Sequence, residues 1–138
     1  MIGKRLKMTY GTIFMRRNMP DYLQGEIAWA DYPLSDKPEK SKIRPVIIIS
    51  NADSNELDND FLIIPVTSKI RNQRFEILLT ADKVSAPLPA LSAVRCNKLH
   101  TIRKTRITGS ISAVEPAASK EIIETVNQAI RPINAEMG

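Results

Sequence analysis

The stretch VRCNKLHTI, residues 94–102, holds the only cysteine and the only histidine of the chain, Cys96 and His100. A thiol nucleophile and an imidazole base must approach to about 3 Å between heavy atoms. The local alternation of side chains predicts a strand, on which these two would stand about 13 Å apart at ~3.3 Å per residue. Zinc needs three or four ligands, and the chain has no second Cys or His to offer. We therefore interpret Cys96 as a buried thiol rather than as a nucleophile or a metal ligand.

A second chemical combination brings together an arginine and two hydroxyl groups. Arg44 opens the apolar run RPVIIIS, and Thr67 and Ser68 close the next apolar run, DFLIIPVTS. A guanidinium stays protonated and can clamp a phosphate, while a nearby hydroxyl group can donate a hydrogen bond to it. The alternative is a solvated arginine and a Ser/Thr pair that begins a turn. These residues alone leave both interpretations open.

Short strands and one helix must position these groups. Strands are predicted over residues 25–32, 44–50, 60–68, 74–80, 92–98 and 105–112. Pro65 inside the third strand indicates an edge, a bulge or a bend. A helix is predicted after Pro116, with an apolar stripe formed by Ile122, Ile123, Val126, Ile130 and Ile133. This order predicts a mainly β fold with a C-terminal helix, as a small barrel or a curled antiparallel sheet.

Length and composition limit the class of protein. A chain of 138 residues is long enough for one domain with a real core, and a single cysteine allows no intramolecular disulfide. The longest apolar runs are far shorter than the ~20 residues of a membrane-spanning helix. The basic N-terminus has no long apolar segment typical of a signal peptide. We therefore expect a soluble, cytoplasmic protein with no membrane partner.

The formal net charge of +5 is unevenly distributed. Residues 1–24 carry five basic residues against one acidic residue, and residues 62–114 carry nine against two. The acidic residues gather mainly at 51–60 and in the C-terminal segment. Such polarity suits a protein that presents a basic surface to a polyanion. The alternative is that scattered Lys and Arg side chains merely solvate strand edges.

The order of motifs along the chain is similar to that of one known family. GEIAWADYP, SKIRPVIIISN, FLIIPVTSK, FEILL, VRCNKLHTI and RITGSIS follow one another before the helix. This order resembles the MazF/PemK/Kid family of toxin endoribonucleases over residues 25 to about 133. The most specific parts are Arg44-Pro45 and the Pro-x-Thr-Ser of residues 65–68. The resemblance implies an SH3-like small barrel of the MazF/PemK/CcdB type at 25–138, preceded by a basic extension at 1–24.

The resemblance also implies a function. The family forms two-fold homodimers that cut single-stranded RNA, here mRNA, at short sequences, and a cognate antitoxin occupies the RNA groove. The 2′-OH attacks the adjacent phosphorus and leaves a 2′,3′-cyclic phosphate and a 5′-OH end, so no metal or cofactor is expected. Arg44 and Thr67 inherit the catalytic roles. The expected RNA contacts are Tyr32, Lys40, Lys42, Ser68, Arg71, Arg95 and Asn97; Trp29 is a further stacking candidate for which core packing is the alternative.

The chain departs from the family within VRCNKLHTI. Asn97 stands where Kid-like members have an aspartate, and His100 stands where they have an arginine. An asparagine cannot accept a proton as a base, although it can read an RNA edge by hydrogen bonding. Two alternatives remain open. One is a poison of the same fold that binds DNA gyrase, which would not need Arg44 or Thr67. The other is a catalytically silent module that binds RNA or an antitoxin, which the change to Asn97 suggests.

Overall fold

The computed structural model describes residues 22–33, 36–37 and 39–133. The predicted basic extension lies outside these residues except for its last three positions. The strands are β1 (Glu26–Pro33), β2 (Ser41–Ile48), β3 (Asp60–Thr67), β4 (Glu76–Leu79), β5 (Ser92–Arg95), β6 (His100–Arg103) and β7 (Ile107–Ala113). The helices are α1 (Ala52–Leu57) and α2 (Pro116–Ile130), with short 3₁₀ turns at Ala81–Lys83 and Lys104–Arg106.

All paired strands are antiparallel and form one sheet in the order β4-β5-β3-β2-β1-β7, with β6 paired to β3. A bridge between Val84 and Val114 joins the segment after β4 to the end of β7. The N–H of Ser85 donates to the carbonyl of Ala113 at 2.8 Å beside that bridge. The sheet thus curls so that its two ends approach each other. The prediction of a mainly β, barrel-like fold with a C-terminal helix is confirmed.

Strand β3 lies at the centre of the sheet and pairs with three other strands. On one edge it pairs with β2, and on the other edge it pairs first with β6 over residues 60–63 and then with β5 over residues 66–67. Pro65 lies in the gap between the β6 and β5 ladders, where an absent N–H breaks no hydrogen bond on that edge. The predicted irregularity at Pro65 is therefore a change of partner strand along the chain.

Two apolar cores lie on opposite faces of the sheet, because successive side chains of a strand point to opposite faces. The core beneath α2, called the helix-covered core, includes Ile27, Ile47, Ile64, Val94 and Ile122. The second core consists of Ala28, Ala30, Val46, Ile48, Phe61, Ile63, Ile102 and Ile107. Both cores draw on β1, β2 and β3. The continuous β-branched run of β2 is thus buried on both faces, as its sequence predicts.

Helix α2 begins at Pro116, whose missing N–H needs no partner in the first turn. It buries Ala118, Ile122 and Val126 against the sheet. The predicted apolar stripe is too wide, because Ile130 is 61% exposed and Ile133, beyond the helix end, is 54% exposed. Within the described residues, neither helix is long and apolar enough to span a bilayer.

Residues 94–102 do not form one strand, which corrects the sequence interpretation. Strand β5 ends at Arg95, and the N–H of Lys98 donates to the Arg95 carbonyl at 3.1 Å to close a tight turn. Strand β6 begins at His100. Cys96 and His100 therefore belong to different elements. Helix α1 is a second unpredicted element: the Asn51 side chain caps it by accepting from the Ser54 N–H at 3.0 Å.

Candidate functional site

The chemically capable side chains share one face of the sheet. Arg44 and Val46 are two residues apart on β2 and therefore point to the same face of the sheet. Thr67 and Ile63 likewise share a face on β3. Val46 and Ile63 both belong to the second core. The residues beyond the second core on this face define what we call the site face: Tyr32, Lys42, Arg44, Thr67, Arg95 and His100.

Arg44 stands at the boundary between the exposed and the buried half of β2. Residues 41–44 are exposed, whereas Val46 and the residues after it are buried. Opposite Arg44 on β1 is Ala30, which is fully buried in the second core. Among the described residues, no carboxylate or carbonyl pairs with the Arg44 guanidinium. Toward the described part of the chain its N–H donors are thus unpaired, and such a planar fork suits an anion.

Thr67 is the last residue of β3 and has one of its two hydrogen-bonding roles already occupied. Its Oγ1 accepts from the N–H of Lys69 at 3.0 Å, which closes a turn at the end of the strand. Within the described part of the chain, no acceptor takes the Thr67 O–H. That proton is therefore available to donate to a bound group.

The register between β2 and β3 brings Arg44 and Thr67 to the same level of the sheet. The hydrogen-bonded ladder ends where Val46 faces Pro65, and two further steps along each strand lead to Arg44 and Thr67. On the other edge of β3, Thr67 pairs with Ala93 of β5. The two side chains therefore lie on one face at the point where the β2–β3 ladder has ended, which we call the gap between β2 and β3. A phosphate in this gap would meet a cation on one side and a hydroxyl donor on the other.

Tyr32 and His100 form a contact between β1 and β6 that the sequence did not predict. The Tyr32 hydroxyl is hydrogen-bonded to Nε2 of His100, and the two rings are perpendicular with centroids 5.1 Å apart. Nδ1 of His100 lies 3.0 Å from the carbonyl oxygen of Lys98. Burial raises the pKa of Tyr32, and the positive charge of Arg44 partly offsets this. Arg44 is therefore an electrostatic neighbour of the Tyr32 hydroxyl.

Glu76 organises the loop between β3 and β4, which holds Arg71. Its carboxylate accepts from the N–H of Arg71 at 3.1 Å and from that of Gln73 at 3.4 Å. Desolvation raises the pKa of Glu76, but these backbone donors and the charge of Arg95 together lower it below its ordinary value. Within this loop Asn72 and Phe75 have positive φ, which is uncommon for residues with a side chain. The carboxylate holds a strained loop in place.

The other predicted RNA contacts lie on the site face or in the segments that connect its strands. Arg95 ends β5 opposite Glu76, and its Nη2 donates to the side chain of Gln73 at 3.4 Å. Lys42 pairs with Tyr32 across the β1–β2 ribbon. The remaining predicted contacts, Lys40, Ser68, Arg71 and Asn97, are exposed in connecting segments. Trp29 is half-buried on β1 between Pro45 and Gly109.

Cys96 is fully buried in the helix-covered core. Burial and the charge of Glu121 raise the pKa of Cys96 to about 12. A thiol with this pKa stays protonated at neutral pH and is a poor nucleophile. Across the described ranges of the chain, no three His, Cys, Asp or Glu side chains cluster as a metal site would require.

Solved structures with a similar fold include toxins and endoribonucleases. An endoribonuclease in complex with its cognate antitoxin from a mycobacterial species has a TM-score of 0.65 and 21% identity, covering 80% of this chain and 95% of its own. MazF from Deinococcus radiodurans has a TM-score of 0.61 and 20% identity, covering 78% and 96%. The likeness defines the class of fold as that of the MazF toxins.

Sequence comparison identifies the family. The model of the PemK-like, MazF-like toxins of type II toxin–antitoxin systems matches residues 23–133, so this chain belongs to that family. A curated relative is the endoribonuclease MazF of Staphylococcus saprophyticus, 21% identical over 104 residues that cover 75% of this chain and 87% of the relative. The family resemblance predicted from the sequence is confirmed.

Proposed function

We propose that this protein is an endoribonuclease toxin that cleaves single-stranded RNA at short sequences. The observation that carries the proposal is the gap on the site face with Arg44 on one side and Thr67 on the other. Membership of the MazF-like family and similarity to an endoribonuclease support it. The site therefore takes an RNA phosphodiester.

Cleavage proceeds by attack of the 2′-oxygen on the adjacent phosphorus. The O2′–P bond forms, the P–O5′ bond breaks, and the 2′-proton is lost while the leaving 5′-oxygen gains one. The products are a 2′,3′-cyclic phosphate and a 5′-OH end. Negative charge grows on the equatorial phosphate oxygens, and Arg44 stabilises it with charged N–H donors while Thr67 donates its O–H. The reaction uses the substrate's own nucleophile, so the proposed mechanism includes no metal or cofactor.

The RNA chain runs from the β1–β2 ribbon across the gap toward β5. Lys40 and Lys42 bind phosphates on one side, and Arg71 and Arg95 bind them on the other. The hydroxyl of Ser68, next to Thr67, donates to the same backbone.

Bases are read beside this path. Tyr32 offers a ring for stacking, and Asn97 offers both a donor and an acceptor to a base edge. The exposed turn between β5 and β6 places Asn97 beside Arg95, so both can contact one nucleotide.

Two further partners belong to the proposal. Structures similar to this one include toxins solved with an antitoxin. We expect a cognate antitoxin to cover the site face and block RNA, and we expect the toxin to be a homodimer. Light scattering of the purified protein measures the dimer, and inhibition of cleavage by the antitoxin measures the block.

The decisive test incubates the purified protein with a long single-stranded RNA in EDTA and maps the ends. We expect discrete cuts with 5′-OH and 2′,3′-cyclic phosphate ends, and a loss of about 100-fold or more in Arg44→Ala. Thr67→Ala should also lose activity. Lys120→Ala, an exposed change on α2, is the matched control that keeps full activity.

Other outcomes identify the alternatives. RNA that is bound but uncut at high protein concentration would indicate a silent RNA-binding module. RNA that is neither bound nor cut would indicate a target of another kind, such as DNA gyrase. Cleavage that disappears in EDTA and returns with Mg²⁺ would contradict the metal-independent mechanism.

A further inference from the structure

The proposed cleavage leaves one proton without an acceptor. The 2′-OH must lose its proton as it attacks, and Arg44 is a poor base because a guanidinium keeps its proton in proteins and offers no acceptor. Asn97 has no basic group to offer. Thr67 is arranged as a donor. The site face nevertheless contains one further pair of groups able to move a proton, Tyr32 and His100.

The hydrogen bonds of His100 define which ring nitrogen carries the proton. The carbonyl oxygen of Lys98, 3.0 Å from Nδ1, can only accept a hydrogen bond. Nδ1 must therefore be the N–H in the neutral ring, and Nε2 carries the lone pair. Nε2 then accepts from the Tyr32 hydroxyl, which directs the phenolic proton toward His100 and leaves the lone pairs of the Tyr32 oxygen available to another donor.

Tyr32 lies across β2 from the proposed phosphate gap, on the same face as Arg44. Tyr32 pairs with Lys42, so Arg44 is its diagonal neighbour across the β1–β2 ribbon. Arg44 is close enough for its charge to lower the pKa of Tyr32 against the effect of burial. A ribose placed against a phosphate held by Arg44 can therefore reach the Tyr32 hydroxyl.

We propose that Tyr32 and His100 form a proton relay that serves as the general base of RNA cleavage. As the 2′-oxygen attacks phosphorus, its proton passes to the Tyr32 oxygen, and the phenolic proton passes to Nε2 of His100. His100 then releases its proton to solvent, and the leaving 5′-oxygen takes one from water. Tyr32 is the catalytic residue, and His100 is a positioning residue that acts through it. This inference rests on the proposed function.

The surroundings of the pair suit proton exchange. Tyr32 and His100 are both partly exposed and line an open cavity of about 300 Å³, together with Pro33, Thr101, Ile102, Arg103 and Arg106. This cavity gives His100 a route to solvent. The charged groups around the pair are Lys42 and Arg44 on β2, Arg103 bound to Asp60 at 3.4 Å, and Arg106 bound to Asp31 at 3.7 Å.

The test measures cleavage rate against pH for the wild type and three variants. The relay requires a neutral imidazole, so the wild-type rate should fall on the acidic side in step with protonation of one group. His100→Gln keeps a hydrogen-bond acceptor for Tyr32 but cannot take up the proton. We expect His100→Gln to cleave roughly 100-fold more slowly at neutral pH, which is the lower end of the usual effect of a general base. Its cleavage rate should also not decrease as the pH is lowered. Tyr32→Phe should match it, and Lys120→Ala should follow the wild type.

A second substrate separates a base from an acid. An RNA with sulfur in place of the bridging 5′-oxygen has a leaving group that needs no proton, but its 2′-OH still must lose one. We expect the His100→Gln defect to persist on this substrate. A defect that disappears there would show that the pair protonates the leaving group and would overturn the relay as general base.

The relay can fail separately from the proposed function. If the wild type cuts RNA and His100→Gln has the same rate and pH profile, the relay is wrong and the nuclease stands. If the wild type cuts no RNA, both are wrong. If His100→Gln loses activity because it misfolds, its Tm will be lowered. In that case His100→Asn and Tyr32→Phe decide the question. If both variants fold and both cleave at the wild-type rate, the relay is wrong.

Discussion

Replacing Arg44 with lysine keeps the positive charge but removes the planar fork of donors. Arg44 is exposed, is opposite the small Ala30, and has no ion pair among the described residues. A lysine fits there without strain, so the free energy of unfolding should change by no more than about 0.5 kcal/mol. The ammonium presents a single point of contact to the phosphate where the guanidinium presents two.

The expected cost is one charge-assisted hydrogen bond in the transition state. Such a bond contributes about 1.5–3 kcal/mol, which corresponds to a rate roughly 10- to 150-fold lower. The slope of RNA affinity against salt should stay unchanged, because it counts neutralised phosphates and the charge is preserved.

Single-turnover cleavage of a labelled RNA measures the rate, and binding of an uncleavable 2′-deoxy analogue measures the affinity. Arg131→Lys, an exposed change beyond the end of α2, is the matched control. A wild-type rate in Arg44→Lys would show that charge alone matters and refute the two-point contact. If Arg44→Lys weakens binding of the 2′-deoxy analogue by the same factor as it slows cleavage at subsaturating protein, Arg44 binds the substrate and the transition state equally well.

Three further predictions concern the fold and the loop at Glu76. The pKa of Glu76 is lowered on folding, so its carboxylate stabilises the fold at pH values above its ordinary pKa of 4.5. This stabilisation is lost as the pH falls through the lower pKa of the folded state. In urea titrations, the difference in unfolding free energy between the wild type and Glu76→Gln should therefore shrink on acidification. Cys96 should react with iodoacetamide far more slowly in the native protein than in urea, whereas equal rates would contradict its burial. Ile122→Ala should lower the unfolding free energy by about 2–5 kcal/mol and Ile130→Ala by less than about 1 kcal/mol, because Ile122 is 1% exposed and Ile130 is 61% exposed.

The strands were predictable because they are rich in β-branched residues and end at polar or proline-containing segments. The break between β5 and β6 was not, since the alternation of VRCNKLHTI continues through the turn without Gly or Pro. Helix α1 was also missed: it has only six residues, and they are mostly polar. A helix this short depends on its cap and its neighbours rather than on an apolar stripe.

The site was partly predictable. The position of Arg44 and Thr67 on one face of the sheet was predictable, because each lies an even number of residues from buried residues of its own strand. The contact between Tyr32 and His100 joins residues 68 positions apart. It depends on β6 pairing with the first half of β3, which no local pattern reveals. The presence of a lone histidine beside a predicted RNA-binding strand was the only available signal.

Strand β2 runs from exposed residues in its first half to buried residues in its second half. Its first half belongs to the ribbon with β1, and its second half lies between the two cores. Amide hydrogens along this single strand should therefore exchange over widely different times, fast at Lys42 and slow at Ile48. Arg44 lies at the boundary between the fast-exchanging and the slow-exchanging half of the strand. Pro45, whose φ angle is fixed, connects it to the slow-exchanging half. If the proposed function is right, the ribbon is the part of the site that can adjust to different bound chains, while the backbone at Arg44 stays anchored to the buried half of β2.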